Sequence, residues 1–238
     1  MAEMFGRSLV LSFIRPFYIR ETFEQMYHIG VKSLSIVLMT STFTGLVLAL
    51  QFGHEMSVYG AKMYTSSVLV VALVRELGPV IISLVVAGRV GAGITAELGS
   101  MAVTEQIDAM RALGTNPHKK LAVTRFIALT VMLPVLVVIG DLCGMIGGWV
   151  VSVTSLGIGT DYYWSHAIHY LFFSDVFSGI LKPFIFAMAI ATISCYLGFT
   201  VTGGTKGVGE ATTRSVVVSS ILIFVLDFFI TKVTLGAI

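Results

Sequence analysis

The 238-residue chain is 56% hydrophobic and only 12% charged, with 15 Lys and Arg against 13 Asp and Glu and a formal net charge of +2. A mean hydropathy of +0.93 excludes an ordinary soluble domain, in which roughly a quarter of residues are charged. No Lys/Arg-rich run of the kind that tracks a phosphate backbone occurs, so nucleic acid is not an expected partner.

The first element, residues 1–28, mixes Phe5, Leu9, Phe13 and Phe17 with Arg7, Arg15 and Arg20, and Pro16 interrupts it. It reads as an amphipathic helix lying in the membrane interface. A signal peptide is the weaker reading: the apolar stretch from Leu9 to Ile14 is short, Arg15 follows at once, and no small-residue cleavage site is evident. Five runs of about 20 apolar residues then follow, each long enough to cross a bilayer. They cover residues 29–52, 66–87, 122–153, 176–201 and 216–235. The fold class expected is an all-α integral membrane protein, a single membrane domain over 1–238 with the five-helix region at 29–235.

Orientation follows from the basic residues, which cytoplasmic loops retain. Arg7, Arg15, Arg20 and Lys32 precede the first span, Arg89, Arg111, Lys119, Lys120 and Arg125 lie between the second and third, and Lys206 and Arg214 lie between the fourth and fifth. The opposite side offers Lys62, while residues 155–175 hold no Lys or Arg. A cytoplasmic amino terminus and a periplasmic carboxyl terminus are expected.

Within the spans, Leu48, Phe52, Met56 and Tyr59 recur at helical spacing near the outer end of the first, a face that suits either an acyl-chain path or bulk lipid. Arg75 and Glu76 fall in the second span, Lys182 in the fourth and Asp227 in the fifth. A charge at a helix centre costs about 2.5–3.5 kcal/mol to insert, so such groups must find partners. Adjacent helical residues do not face each other, so Arg75 and Glu76 should reach different neighbours, in a network with Lys182 and Asp227 that is either a fixed packing device or a moving part. Asp141 in the third span has no obvious partner by sequence. Gly140, Gly144 and Gly148 form a small-residue stripe, read as helix packing.

Between the second and third spans, the loop 89–121 carries its own helical pattern. Val103, Ile107 and Met110 share one face while Glu105, Asp108 and Arg111 point elsewhere, and Gly114 and Pro117 stop the helix. Such a helix rests on lipid headgroups or docks a protein.

No phosphate-binding loop is present. Gly203-Gly204-Thr205-Lys206 has glycines near a lysine in the wrong order, and the stretch 203–209 reads as a turn. No nucleophile elbow or other catalytic constellation appears. His166 and His169 lack a third metal ligand, and Cys143 and Cys195 sit in apolar runs where they act as small hydrophobes. A non-catalytic subunit without a bound cofactor or metal is expected.

The runs Arg75-Glu76-Leu77-Gly78-Pro79, Ala87-Gly88-Arg89-Val90-Gly91-Ala92, Ala96-Glu97-Leu98-Gly99-Ser100-Met101, Glu105-Gln106-Ile107-Asp108-Ala109-Met110 and Gly114-Thr115-Asn116-Pro117 together resemble the MlaE/YrbE permeases. The similarity continues through Ala211-Thr212-Thr213-Arg214 and Leu226-Asp227-Phe228. The resemblance implies the permease subunit of an ATP-driven ABC transporter in the bacterial inner membrane, moving phospholipid or a related lipid in support of outer-membrane lipid homeostasis and asymmetry. It implies a homodimer, two ATPase subunits of the MlaF kind that hold ATP and magnesium, a hexameric MCE protein of the MlaD kind, and room for a small cytoplasmic accessory subunit. Glu97, Met101, Glu105, Ile107, Asp108 and Met110 would couple to the ATPase, and Leu77 would lie near the lipid path. An ion-coupled secondary transporter, or a passive anchor for an MCE protein, are the competing readings; the lack of an internal repeat counts against the first and the loop helix against the second.

Overall fold

The computed structural model describes residues 1–12 and 18–236. Phe13, Arg15, Pro16 and Phe17 of the interfacial segment lie outside them. Among the described residues all regular structure is helical. Two short amphipathic helices, α1 (Ala2–Ser12) and α2 (Ile19–Ile29), precede α3 (Leu34–Val58). Next comes one long irregular helix composed of α4 (Thr65–Ala72), a π-helical turn (Leu73–Leu77), α5 (Gly78–Val86), a second π turn (Ala87–Gly91) and α6 (Ala92–Val103). A short α7 (Gln106–Ala112) and a third π segment (His118–Val123) lead into α8 (Thr124–Thr154), followed by α9 (Thr160–His169), α10 (Phe173–Phe199) and α11 (Gly204–Gly236).

Five helical segments are long and apolar enough to cross a membrane: Ile19–Val58, Lys62–Val103, His118–Thr154, Phe173–Phe199 and Gly204–Thr234. The chain is thus an all-α multi-pass membrane protein, as its hydropathy runs predict. Two boundaries differ from the sequence reading. The second span continues as helix to Val103, and helix resumes at His118, so the hydrophilic connection shrinks from 89–121 to 104–117. Residues 204–209 are the first turns of α11 rather than a loop, because Gly203 and the helix's first residue Gly204, at φ +87° and +68°, make the reversal at its very start.

The chain forms two compact units, one of Met1–Ser33, Ser83–Leu133 and Phe184–Ile238, the other of Leu34–Ile82 and Pro134–Pro183. In the second unit, α3 turns Ser41, Gly45, Ala49 and Gly53 inward, a stripe at four-residue spacing. It meets the stripe foreseen on α8: a Cβ on Gly45 would collide with the Gly144 backbone, and one on Gly140 would sit 2.6 Å from the Ser41 hydroxyl. Gly148 faces Leu69 and the Tyr163 hydroxyl. Lipid offers no hydrophobic drive for helices to associate, so close backbone contact through such residues holds them together. Tyr163 of α9 is fully buried and donates to the Met145 carbonyl at 2.9 Å, and burial raises its pKa above the ordinary value.

In the first unit α6 packs along α11. A Cβ at Gly99 would approach Val201 to 2.9 Å, and one at Gly198 would approach the Leu98 side chain to 2.7 Å. Thr95 donates to the Ser194 carbonyl at 3.1 Å, and the hydroxyls of Ser194 and Ser215 lie 3.1 Å apart.

Candidate functional site

Polar chemistry inside the spans concentrates in the second unit. Arg75 and Glu76 both lie on the π turn Leu73–Leu77, where the wider i→i+5 turn departs from α-helical spacing, a local insertion frequent at functional positions. Each side chain has a partner on α10, and the two also stand within ion-pair distance of each other. Lys182, fully buried on α10, donates to the Glu76 carboxylate. Arg75 Nη1 stands 3.4 Å from Asp175 Oδ1, and only its Nε approaches Glu76, at 3.9 Å.

Asp175 was not foreseen as a site residue. Its second oxygen accepts the Phe172 amide at 3.2 Å, the reach-back of an N3 acid to the N-cap amide. One carboxylate therefore starts α10 and faces Arg75. The sequence signal for the cap was available, an acid three residues into a helix, but its meeting with Arg75, a hundred positions away, was not. Three of the four residues of the expected network thus meet in one unit; the fourth, Asp227, sits on α11 in the other.

Asp141 is also buried, and its Oδ1 has no hydrogen-bond partner. It lines a narrow cleft with Ser41, Thr44, Leu77, Gly78 and Gly140. Leu77, assigned to the lipid path by resemblance, is therefore half-buried beside this carboxyl.

Leu48, Phe52 and Met56 are half-buried and Tyr59 is exposed. Each of the first two sits one residue before a member of the buried α3 stripe, so they flank the packing face. Leu48 and Phe52 accordingly rest against the Leu69, Val70 and Tyr163 cluster. Sequence spacing placed these side chains on one face without revealing how that face meets the core.

The connection between the second and third spans belongs to the first unit. Glu97, on α6, pairs with Arg125 Nη2 at 2.7 Å, and the Arg125 side chain is only 3% exposed. Met101 is half-buried. Glu105 adopts φ +57°, the left-handed region, which is unusual for a residue with a side chain. That turn separates α6 from α7, so Val103 ends one helix and Ile107 and Met110 belong to the next. The single amphipathic helix expected over 103–113 is in fact this helix–turn–helix. Ile107 is buried, Met110 half-buried, and Asp108 pairs with Arg111 at 2.7 Å on the solvent side. Leu113, just before Gly114 at φ +75°, is 83% exposed. The hydrophobic pattern had not singled it out. The segment presents a helical tip with exposed acidic residues and an exposed leucine at its end.

Outside the spans, His166 stacks on Tyr162 with centroids 3.9 Å apart. No cluster of His, Cys, Asp and Glu fit to hold a metal occurs among the described residues, and both cysteines are free.

A multi-pass helical protein with paired charges within its spans and a structured hydrophilic connection between the second and third has the features of a transport permease. A family profile described as Permease MlaE matches residues 22–233, and the chain belongs to that family of ABC transporter permeases. It is 45% identical over 231 residues to a probable ABC transporter permease protein of Rickettsia felis, covering 97% of this chain and 89% of the relative. It is 41% identical to the Arabidopsis thaliana protein TRIGALACTOSYLDIACYLGLYCEROL 1, chloroplastic, over 90% of this chain and 61% of the relative. It is 34% identical to the intermembrane phospholipid transport system permease protein MlaE of Haemophilus influenzae, over 90% and 82%.

Proposed function

We propose that this permease moves phospholipid between the inner membrane and a periplasmic MCE protein as a homodimer, with ATP hydrolysed by two separate ATPase subunits docked on residues 104–117. The observation that carries the reading is the match to a phospholipid-transport permease over nine-tenths of the chain. The connection supports it: the left-handed turn at Glu105 and the Ile107 anchor hold α7 as a preformed lever, and preorganisation lowers the entropy lost on docking. Glu97, Met101, Glu105, Asp108 and Met110 flank the tip, and Leu113 supplies an apolar anchor.

The amino terminus is cytoplasmic in this reading, because the basic residues concentrate on that side. The paired Arg75, Glu76, Lys182 and Asp175 neutralise one another beneath the lipid path, and Leu77, Leu48, Phe52, Met56 and Tyr59 form its apolar wall.

Reversing Glu105 and Asp108 to lysine should abolish ATP-dependent lipid transfer in proteoliposomes containing the ATPase and MCE protein, while the chain folds normally. Lipid transfer by the chain alone, without ATPase or nucleotide, would refute this assignment.

A further inference from the structure

A second polar cavity lies entirely within the first unit. It is a cleft of ≈ 400 Å³ between α2, the short 3-10 turn Val31–Ser33 and the second π turn with α6, lined among others by Glu24, His28, Lys32, Arg89 and Glu97. Its floor is apolar, with Ile29, Val90 and Ile94 all under 8% exposed, and its rim carries both signs of charge. Arg89, lifted out on the π turn Ala87–Gly91, donates Nη1 to the Ser33 hydroxyl. Lys32 Nζ donates to Nδ1 of His28 at 2.9 Å, which ties α2 to the start of the first span. Glu97 is already paired with Arg125, leaving Glu24 as the acid on the opposite rim.

The position in the chain sets the depth. Lys32 immediately precedes the apolar run of α3, and Arg89 directly follows the run from Leu77 to Ala87, so both cations belong at the boundary of the hydrocarbon, where headgroups lie. Arginine and lysine recognise phosphate through charge-assisted hydrogen bonds, a carboxylate recognises an ammonium group, and apolar walls beneath suit glycerol and the first acyl carbons. We infer that this cleft holds the headgroup of a zwitterionic phospholipid, its phosphate on Arg89 and Lys32 and its ammonium on Glu24. The site shares no residue with the Arg75–Glu76–Lys182–Asp175 cluster and deepens the phospholipid reading, on which it rests, by naming the headgroup class.

The test uses the full chain, purified from nanodiscs of equal phosphatidylethanolamine and phosphatidylglycerol, with retained lipid counted by mass spectrometry. The wild type should retain phosphatidylethanolamine preferentially. Arg89→Gln with Lys32→Gln should lower retention of both lipids about a hundredfold, two lost charge-assisted contacts at about tenfold each. Glu24→Gln should remove the preference and leave phosphatidylglycerol unchanged. Gly93 faces the cleft, and a Cβ there meets nothing within 4 Å; Gly93→Leu should therefore fold, shown by an unchanged unfolding midpoint, and exclude both lipids. Unaltered phosphatidylethanolamine retention in Glu24→Gln and Gly93→Leu overturns the inference. Displacement by inorganic phosphate as effective as by glycerophosphoethanolamine assigns the cleft to a free anion and overturns it too. Retention is read without ATP or partners, so its failure leaves ATP-driven transfer standing, whereas lost transfer with retention intact refutes the transport reading alone.

Discussion

Two ion pairs of the same chemistry show what surroundings do to it. Lys182 meets Glu76 with its own side chain fully buried, whereas Arg111 meets Asp108 with side chains 54% and 68% exposed. In the interior neither partner can turn to water, so each becomes a condition for the other; at the surface each can be resolvated within nanoseconds. The first pair fixes which helices face each other, and the second is dispensable to folding and free for contact with another protein.

The comparison is sharpest where one partner is removed. Glu76→Gln should destabilise the detergent-solubilised chain by about 3 kcal/mol, at the low end for a broken buried pair because Glu76 is itself a third exposed. Glu76→Gln combined with Lys182→Met should recover most of that loss, measured by thermal unfolding in a double-mutant cycle. Failure of the double variant to recover would mean that the pair is not the unit. Gly45→Ala should cost about 1–3 kcal/mol, since the added carbon meets the rigid Gly144 backbone.

Tyr163→Phe removes one buried hydrogen bond and should cost about 1 kcal/mol. The raised pKa of Tyr163 means that its stabilisation is complete below the unfolded value near 10 and is lost only as pH rises above it. The wild type should therefore lose stability relative to Tyr163→Phe only in alkaline solution, which paired pH titrations of unfolding would read. Smallest of all, Asp108→Ala should change stability by less than about 0.5 kcal/mol. A large fall there would erase the contrast between the two pairs.

The five spans were legible because a bilayer imposes a length and composition that few other structures share. That Arg75 and Glu76 need partners beyond each other was legible from the cost of charge within a span, but not that both would meet one helix, α10. What escaped was local and conformational. Hydropathy carries no sign of the three π segments, so the second span appeared to end at Ala87 although helix continues to Val103. Glu105 in the left-handed region defeats a periodicity argument, which assumes an unbroken helix on both sides of it. Asp175 escaped because it belongs to a helix start, and its meeting with Arg75 depends on a fold that brings residues a hundred positions apart together.

The π turn at Leu73–Leu77 has a consequence for how this chain can change. Such a turn is an α-helix carrying one surplus residue. Losing one residue there would let the turn close to ordinary α-helical spacing while the helix on either side kept its facing, because the wide turn had already absorbed the extra residue. Arg75 and Glu76, which lie on the turn itself, would be the residues displaced from Lys182 and Asp175, without any damage to hydropathy or helix content. A single-codon deletion at this spot is thus a local uncoupler: the protein would still insert and still look intact, with only the charges of its interior moved out of alignment.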